Sequence, residues 1–248
     1  MTASPDRLAA NAAREFAIAL AARWQALPGG NLLGAYLLGS LAHGGFSRRY
    51  SDIDLGIVTE VGLDAEASGA LRAEASAVSP ELAPKLSIFW TDRTFSIGRF
   101  PPLDRADYLD HGVALFERER IVPPRPGLDE VRAYLTGAPF ENWIKAAAQF
   151  AAADALDPKD RKSYLRAHLY PARFLMSFMT GRMASNDDAV AWLAERPIPG
   201  LDLGPIVQAL EIRRAAQDSD ALFGARAILP RQAAACAALI AESEAERP

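Results

Sequence analysis

The stretch GSLAHGGFSRRYSDIDLGIV, residues 39–58, decides how this chain is read. Its second half alternates cleanly. Ile53, Leu55 and Ile57 fall on one side of an extended segment, Asp52 and Asp54 on the other, the pattern of a half-buried strand. Two carboxylates at i and i+2 on such a strand project from one face, roughly 7 Å apart at their roots. That is close enough to share or bridge Mg²⁺ ions, which take hard oxygen ligands. Upstream, Gly39-Ser40 follows an apolar run and offers backbone N–H groups and a hydroxyl suited to phosphate oxygens. Gly44-Gly45 lets the backbone pass close to a ligand, and Arg48 and Arg49 are candidates for neutralising phosphate charge.

Working outward, residues 6–26 carry apolar side chains at helical spacing (Leu8, Ala12, Phe16, Ile18, Leu20, Trp24), and Pro28-Gly29-Gly30 stop that helix. LLGAYLLGS reads as a short buried strand entering the Gly-Ser turn. Residues 64–78 read as a helix, KLSIFW (Lys85 to Trp90) as a third strand, and 103–121 as a helix followed by the apolar piece VALF. VPPRPG, Val122 to Gly127, is the expected domain boundary. Beyond it strand signals vanish. Helices are expected over 128–135, 140–156, 161–180, 187–195, 205–216 and 230–244, with Gly181 ending one and Ser185–Asp188 forming an acidic capping box for the next. Pro171, inside a helical stretch, predicts a kink or a restart.

Composition sets outer limits. The chain has 248 residues, 50% hydrophobic and 23% charged, with a net charge of −4, a soluble globular balance with apolar mass for one large or two small domains. The acidic balance gives no footprint for duplex nucleic acid and argues against an RNA partner. One cysteine, Cys236 in an Ala-rich run, excludes an internal disulfide framework and a Cys-rich zinc site, and reads as a small core residue. Three histidines (His43, His111, His168) leave little for a multi-His metal centre. Charges at Asp6, Arg7, Arg14 and Glu15 interrupt any signal-like apolar core, and no run approaches the roughly 20 apolar residues of a membrane span. The expected location is cytoplasmic, with no membrane contact.

Gly-Ser, a loop, then Asp-x-Asp after a serine resembles the signature of the nucleotidyltransferase superfamily shared with DNA polymerase β. The GG in the loop and SDIDL are more particularly similar to aminoglycoside nucleotidyltransferases of the streptomycin/spectinomycin adenylyltransferase type. ARFLMSFMTGRMASNDDAVAWLAERP, Ala172 to Pro197, is similar to the helical C-terminal domain of that group, and DHGVALFERERI to the close of its nucleotidyltransferase domain. The resemblance implies an α+β fold: an N-terminal mixed sheet with flanking helices (1–122), then an all-α helical bundle domain (128–248). It implies transfer of a nucleoside monophosphate from ATP or another NTP to a hydroxyl of a small-molecule acceptor held in an interdomain cleft, aminoglycoside-like in that group. Asp52 and Asp54 match the catalytic, Mg²⁺-binding acids, with room for two ions. Gly39 and Ser40 match the phosphate-binding turn, and Ser51 and Arg49 are expected beside them as nucleotide-binding residues.

Two departures qualify the match. The family carries a third carboxylate on a later strand, and its best-aligned position here is Ser87, a hydroxyl that cannot replace an ionised base. Asn186 stands where the aminoglycoside group tends to carry Lys. Asp92, Glu81, Glu141, Asp154 and Asp188 are candidate substitutes for the missing acid. Besides an active enzyme, two readings stay open: a catalytically degenerate nucleotide-binding protein of the same fold, and a transferase acting on a protein or RNA. His43 is expected as polar loop lining, Trp90, Trp143 and Trp192 as core aromatics, and Tyr164, His168 and Glu141 as either helix packing or acceptor-pocket residues. The oligomeric state is not specified by the sequence.

Overall fold

The computed structural model describes residues 5–26, 31–217 and 220–245; the expected stop at Pro28-Gly29-Gly30 lies outside them. The chain divides into two compact units, Met1–Pro126 and Gly127–Pro248.

The first unit follows the period-2 and period-3.6 patterns of its sequence. Helix α1 (Pro5–Gln25) leads to strand β1 (Leu32–Leu37), the short helix α2 (Gly39–His43), strand β2 (Ile53–Thr59), helix α3 (Ala65–Val78), strand β3 (Leu86–Thr91), helix α4 (Pro102–His111) and strand β4 (Val113–Glu117). The strands form one mixed sheet in the order β3-β2-β1-β4, with β2 and β3 parallel and the other neighbours antiparallel. The fold is therefore α+β, as expected. VALF proves to be an edge strand on β1.

Alternation divides the sheet into two faces. Ile53, Leu55 and Ile57 of β2 join Leu37 of β1 and Leu86 and Ile88 of β3 in a core closed by α1 and α3. On α1 the buried face is Ala13, Phe16, Ala17, Leu20, Ala21 and Trp24, where small alanines let the helix lie close. Leu8, Ala12 and Ile18, expected on that stripe, face solvent instead. The other face carries a second core of Leu33, Tyr36, Leu38, Val58 and Tyr108, with Phe89, Phe95 and Phe100 packed against it. Tyr36 and Tyr108 meet edge to face at 4.8 Å, with the Arg120 guanidinium over both rings.

The second unit is helical: α5 (Leu128–Thr136), α6 (Ala138–Ala152), α7 (Arg161–Thr180), α8 (Asn186–Ala194), α9 (Leu203–Ala215) and α10 (Leu229–Ala245). Gly181 ends α7 in a left-handed conformation, φ 69°. Ser185 caps α8 by accepting from the Asp188 N–H at 3.0 Å. Its hydroxyl donates to Asp188 Oδ2 at 2.7 Å, so the acid returns to the cap side chain. Cys236 is buried, which pushes its thiol up to about 12 and removes it as a nucleophile. Of the three tryptophans expected as core aromatics, Trp143 is fully in the core, while Trp90 and Trp192 are half-buried.

Pro171 causes no restart, because α7 runs through it. A proline lacks the N–H that would bond the carbonyl four residues earlier, here Ala167. The Trp143 indole N–H on α6 donates to that carbonyl at 2.9 Å, and its ring stacks on Tyr170 at 4.6 Å. The tryptophan thus supplies the donor that the proline removes. We predict that Trp143→Phe costs about 1–3 kcal/mol by orphaning a buried carbonyl. The cost falls in a Pro171→Ala background, where a backbone N–H returns, and a double-mutant cycle by urea denaturation reads the difference.

His168 on α7 is fully buried, and neither ring nitrogen has a hydrogen-bond partner among the described residues. Burial lowers its pKa from 6.5 to about 4. Its contribution to stability is fully present above pH 6.5, the unfolded value, and lost as the pH falls toward 4. The loss is on the order of 3 kcal/mol. Denaturation midpoints measured between pH 7 and pH 4 should fall less steeply for His168→Leu than for the parent.

Candidate active site

The residues singled out at 39–58 meet where β1 leaves the sheet. Pairing of β1 with β2 places Leu37 opposite Leu55, and the Leu38 N–H donates to the Asp54 carbonyl at 2.9 Å. The chain then turns directly into α2. Gly39 adopts φ +59°, and a Cβ built on it would lie 2.3 Å from Asp54 Oδ2. Only glycine serves there, both for its backbone conformation and because the carboxylate occupies the space of a side chain.

Ser40, next along, donates from its hydroxyl to Ser51 Oγ at 3.1 Å. Ser51 is buried, and its Oγ also accepts from the Ser47 N–H at 2.9 Å, closing the 47–51 turn. Gly39, Ser40, Ser51 and Asp54 are thereby joined in one connected cluster. Asp52 is half-buried but lies one residue before β2, which begins at Ile53. Pairing with β3 starts only there, at Leu86, because residues 83–85 form a separate helical turn.

The two loop arginines meet different neighbours. Arg48 is exposed and faces Asp6 of α1, 3.7 Å from its carboxylate, and its carbonyl accepts from the Lys85 ammonium. The exposed Arg49 guanidinium sits 5.9 Å from the Tyr50 ring centroid. Gly44 and Gly45 are exposed at φ 99° and 75°, so backbone conformation alone accounts for both glycines. Arg14 of α1 donates to the Leu41 carbonyl and holds α2 from behind.

One residue near this cluster escaped sequence reasoning. Asp107, on α4 and 2% exposed, accepts the Gly39 N–H on Oδ2 at 2.7 Å. Its Oδ1 lies 4.0 Å from His43 Nε2, and the His43 ring meets His111 edge to face at 5.5 Å. His43, expected as loop lining, is the last residue of α2 and packs toward α4. No local signal marks Asp107, one of three aspartates in a short amphipathic helix. The contact joins residues 68 apart.

Parallel pairing sets Ser87 directly beside Asp54, on the same sheet face. Asp92 follows β3 and is consumed by its own loop: Oδ1 accepts the Ser96 and Ile97 N–H groups at 2.9 and 3.2 Å, and Oδ2 takes the Thr94 hydroxyl. Desolvation works to raise its pKa, yet the hydrogen bonds from Thr94, Ile97 and Ser96 prevail and bring it down to about 2. Glu81 is exposed ahead of β3, and Glu141, Asp154 and Asp188 are exposed on the second unit. Tyr164 is buried with its hydroxyl on the Leu222 carbonyl, so it and His168 are core residues of the helical unit. Among the described residues, no group of three or more His, Cys, Asp or Glu side chains is disposed to hold a metal ion. No described helix is long and apolar enough to cross a membrane.

No protein-family model and no curated protein sequence matches the chain. Among solved structures it is similar to spectinomycin adenyltransferase AAD(9) from Enterococcus faecialis, crystallised with ATP and spectinomycin. The TM-score is 0.64 over 91% of this chain and 98% of that one, at 11% identity. The likeness is one of fold. It agrees with the mixed sheet, flanking helices and C-terminal helices described above.

Gly39→Ala should destabilise the first unit by about 1–2 kcal/mol from backbone conformation alone. Its methyl group should also displace the Asp54 carboxylate. Equilibrium denaturation checks the first effect, and a variant as stable as the parent would show that the close approach of Gly39 and Asp54 imposes no constraint.

Proposed function

We propose that the protein is a Mg²⁺-dependent nucleotidyltransferase, moving a nucleoside monophosphate from a triphosphate, with ATP as the first candidate, to a hydroxyl of a small-molecule acceptor. The observation that carries this reading is the Gly39–Ser40 turn packed against Asp54, in a fold shared with an adenyltransferase crystallised with ATP. In this reading residues 1–122 handle the nucleotide and 128–248 form a separate helical domain. An aminoglycoside-like acceptor is the finer form of the proposal, supported by spectinomycin in the structural neighbour and by the sequence resemblance.

The donor set fits magnesium in one way and not another. Asp52 and Asp54 are hard oxygen donors two residues apart, half-buried beside a serine-rich turn. They do not make a preformed all-protein cage, since no third ligand joins them among the described residues. Mg²⁺ is commonly held by one or two carboxylates plus substrate phosphates and water, so the pair fits an ion arriving with the triphosphate. When bound there, the ion neutralises phosphate charge and orients the reacting oxygens.

The acceptor hydroxyl oxygen attacks the α-phosphorus and gives its proton up to solvent, the bond to the pyrophosphate oxygen breaks, and pyrophosphate leaves. Ser40 and the turn it belongs to orient the phosphates, and Arg49, exposed at the loop, is the candidate cation for their charge. Gly39 shapes the turn by its contact with Asp54. Its own N–H is donated to Asp107, leaving the phosphate contacts to the residues that follow. Asp52→Asn and Asp54→Asn should each lower nucleotide transfer by roughly 100-fold or more while leaving the circular dichroism spectrum unchanged. Full activity in either variant would sink the proposal.

Ser87 beside Asp54 supports a second reading, a nucleotide-binding protein that has lost transfer. It expects Mg·ATP to raise the melting temperature with no pyrophosphate release across a panel of hydroxylated acceptors. Pyrophosphate released with any acceptor decides for the enzyme.

A further inference from the structure

We propose that Asp107 is the positioning residue of this nucleotide site, a role that rests on the nucleotidyl-transfer reading. Burying a carboxylate is costly unless it is paired or hydrogen-bonded. Asp107 is 2% exposed, on a helix outside the 39–58 motif. One of its oxygens takes the Gly39 N–H at 2.7 Å; the other accepts no hydrogen bond among the described residues and faces His43 Nε2 at 4.0 Å. Gly39 and His43 are the first and last residues of α2, so one carboxylate is bonded to the first residue of the helix that carries Ser40 and lies beside the side chain of its last.

The consequence passes to Asp54. Gly39 is pressed against the Asp54 carboxylate so closely that no side chain fits between them. Whatever holds the Gly39 nitrogen therefore sets the backbone against which Asp54 rests. Asp107 holds it by the 2.7 Å hydrogen bond to its side-chain oxygen. On the other flank, Ser40 is tied through Ser51 to the 47–51 turn. Asp107 on one side and Ser51 on the other leave the turn little freedom, as preorganised phosphate and metal chemistry requires. Asp107 acts through Gly39 and touches neither nucleotide nor metal. This agrees with the absence of any three-acid metal group among the described residues.

Two substitutions separate geometry from charge. Asp107→Asn keeps an oxygen acceptor in place and removes the charge. Asp107→Glu keeps the charge but carries the carboxylate one methylene too far for the Gly39 N–H. Asp107→Ala replaces the latter if the longer side chain prevents folding. For each variant, the Kd of Mg·ATP is measured by calorimetry and KM for ATP and kcat by pyrophosphate release, alongside thermal unfolding. The expected result is Asp107→Asn within a few-fold of the parent, with Asp107→Glu or Asp107→Ala weakened roughly 10- to 100-fold in Kd and KM for ATP. A purely structural residue would instead lower the melting temperature and leave the Kd of the folded fraction unchanged, which would overturn the proposal. Loss of kcat in Asp107→Asn as deep as in Asp54→Asn would overturn it too, by making the charge part of the chemistry. A parent protein that binds no Mg·ATP would remove the nucleotide reading itself. Normal parental binding with unaffected Glu and Ala variants would remove only the role of Asp107.

Discussion

The close approach of Gly39 to Asp54 is the constraint on which the first unit is organised. A backbone atom without a side chain lies against a carboxylate at the head of β2, in a conformation that L side chains rarely adopt. Around it the structure spends several directional contacts. The Leu38 N–H goes to the Asp54 carbonyl, the Gly39 N–H to Asp107, the Arg14 guanidinium to the Leu41 carbonyl, and the Ser40 hydroxyl to Ser51. These come from β2, α4, α1 and the 47–51 turn. The layers on both faces of the sheet thus converge on one short segment.

The sheet explains why that segment is rigid enough to matter. β2 lies between a parallel and an antiparallel neighbour, and its alternation buries Ile53, Leu55 and Ile57 under α1 and α3 while leaving Asp54 on the opposite face. A slip of one residue would exchange the acids for the isoleucines and would bury charge, so the register is strongly specified. The same register brings Ser87 beside Asp54. A hydroxyl at that point can donate or accept a hydrogen bond, but it cannot act as an ionised base. The chemical character of the site turns on this pair.

The helical unit obeys a different logic, in which buried polar groups are matched across helices. Trp143 donates to the carbonyl that Pro171 leaves open, Tyr164 to the Leu222 carbonyl, and Gln232 to the Asp202 carbonyl. Tyr170, Phe174 and Phe178 stack one turn apart along α7. His168, an imidazole buried beside Tyr164, departs from this logic with no hydrogen-bond partner among the described residues, as do the Tyr170 hydroxyl and Gln232 Oε1.

Much of this was legible in residue order. Period-2 alternation marked β2 with Asp54 on it and Asp52 just ahead of it, period 3.6 marked the helices, and Gly181 and Ser185 marked a stop and a start, because these signals arise within a few residues of themselves. The sequence by itself determined the α+β class, the Gly-Ser turn, the half-buried Asp54 and the absence of an acid at Ser87. It could not show that Leu8 and Ile18 turn outward, since several faces of an apolar-rich helix satisfy the same spacing and only the partner sheet selects one. Nor could it show Asp92 spent on its own loop or Asp107 holding Gly39. An aspartate on an amphipathic helix carries no mark of the donor it will meet, and the packing of α4 against α2, across 68 residues of chain, alone supplies that donor.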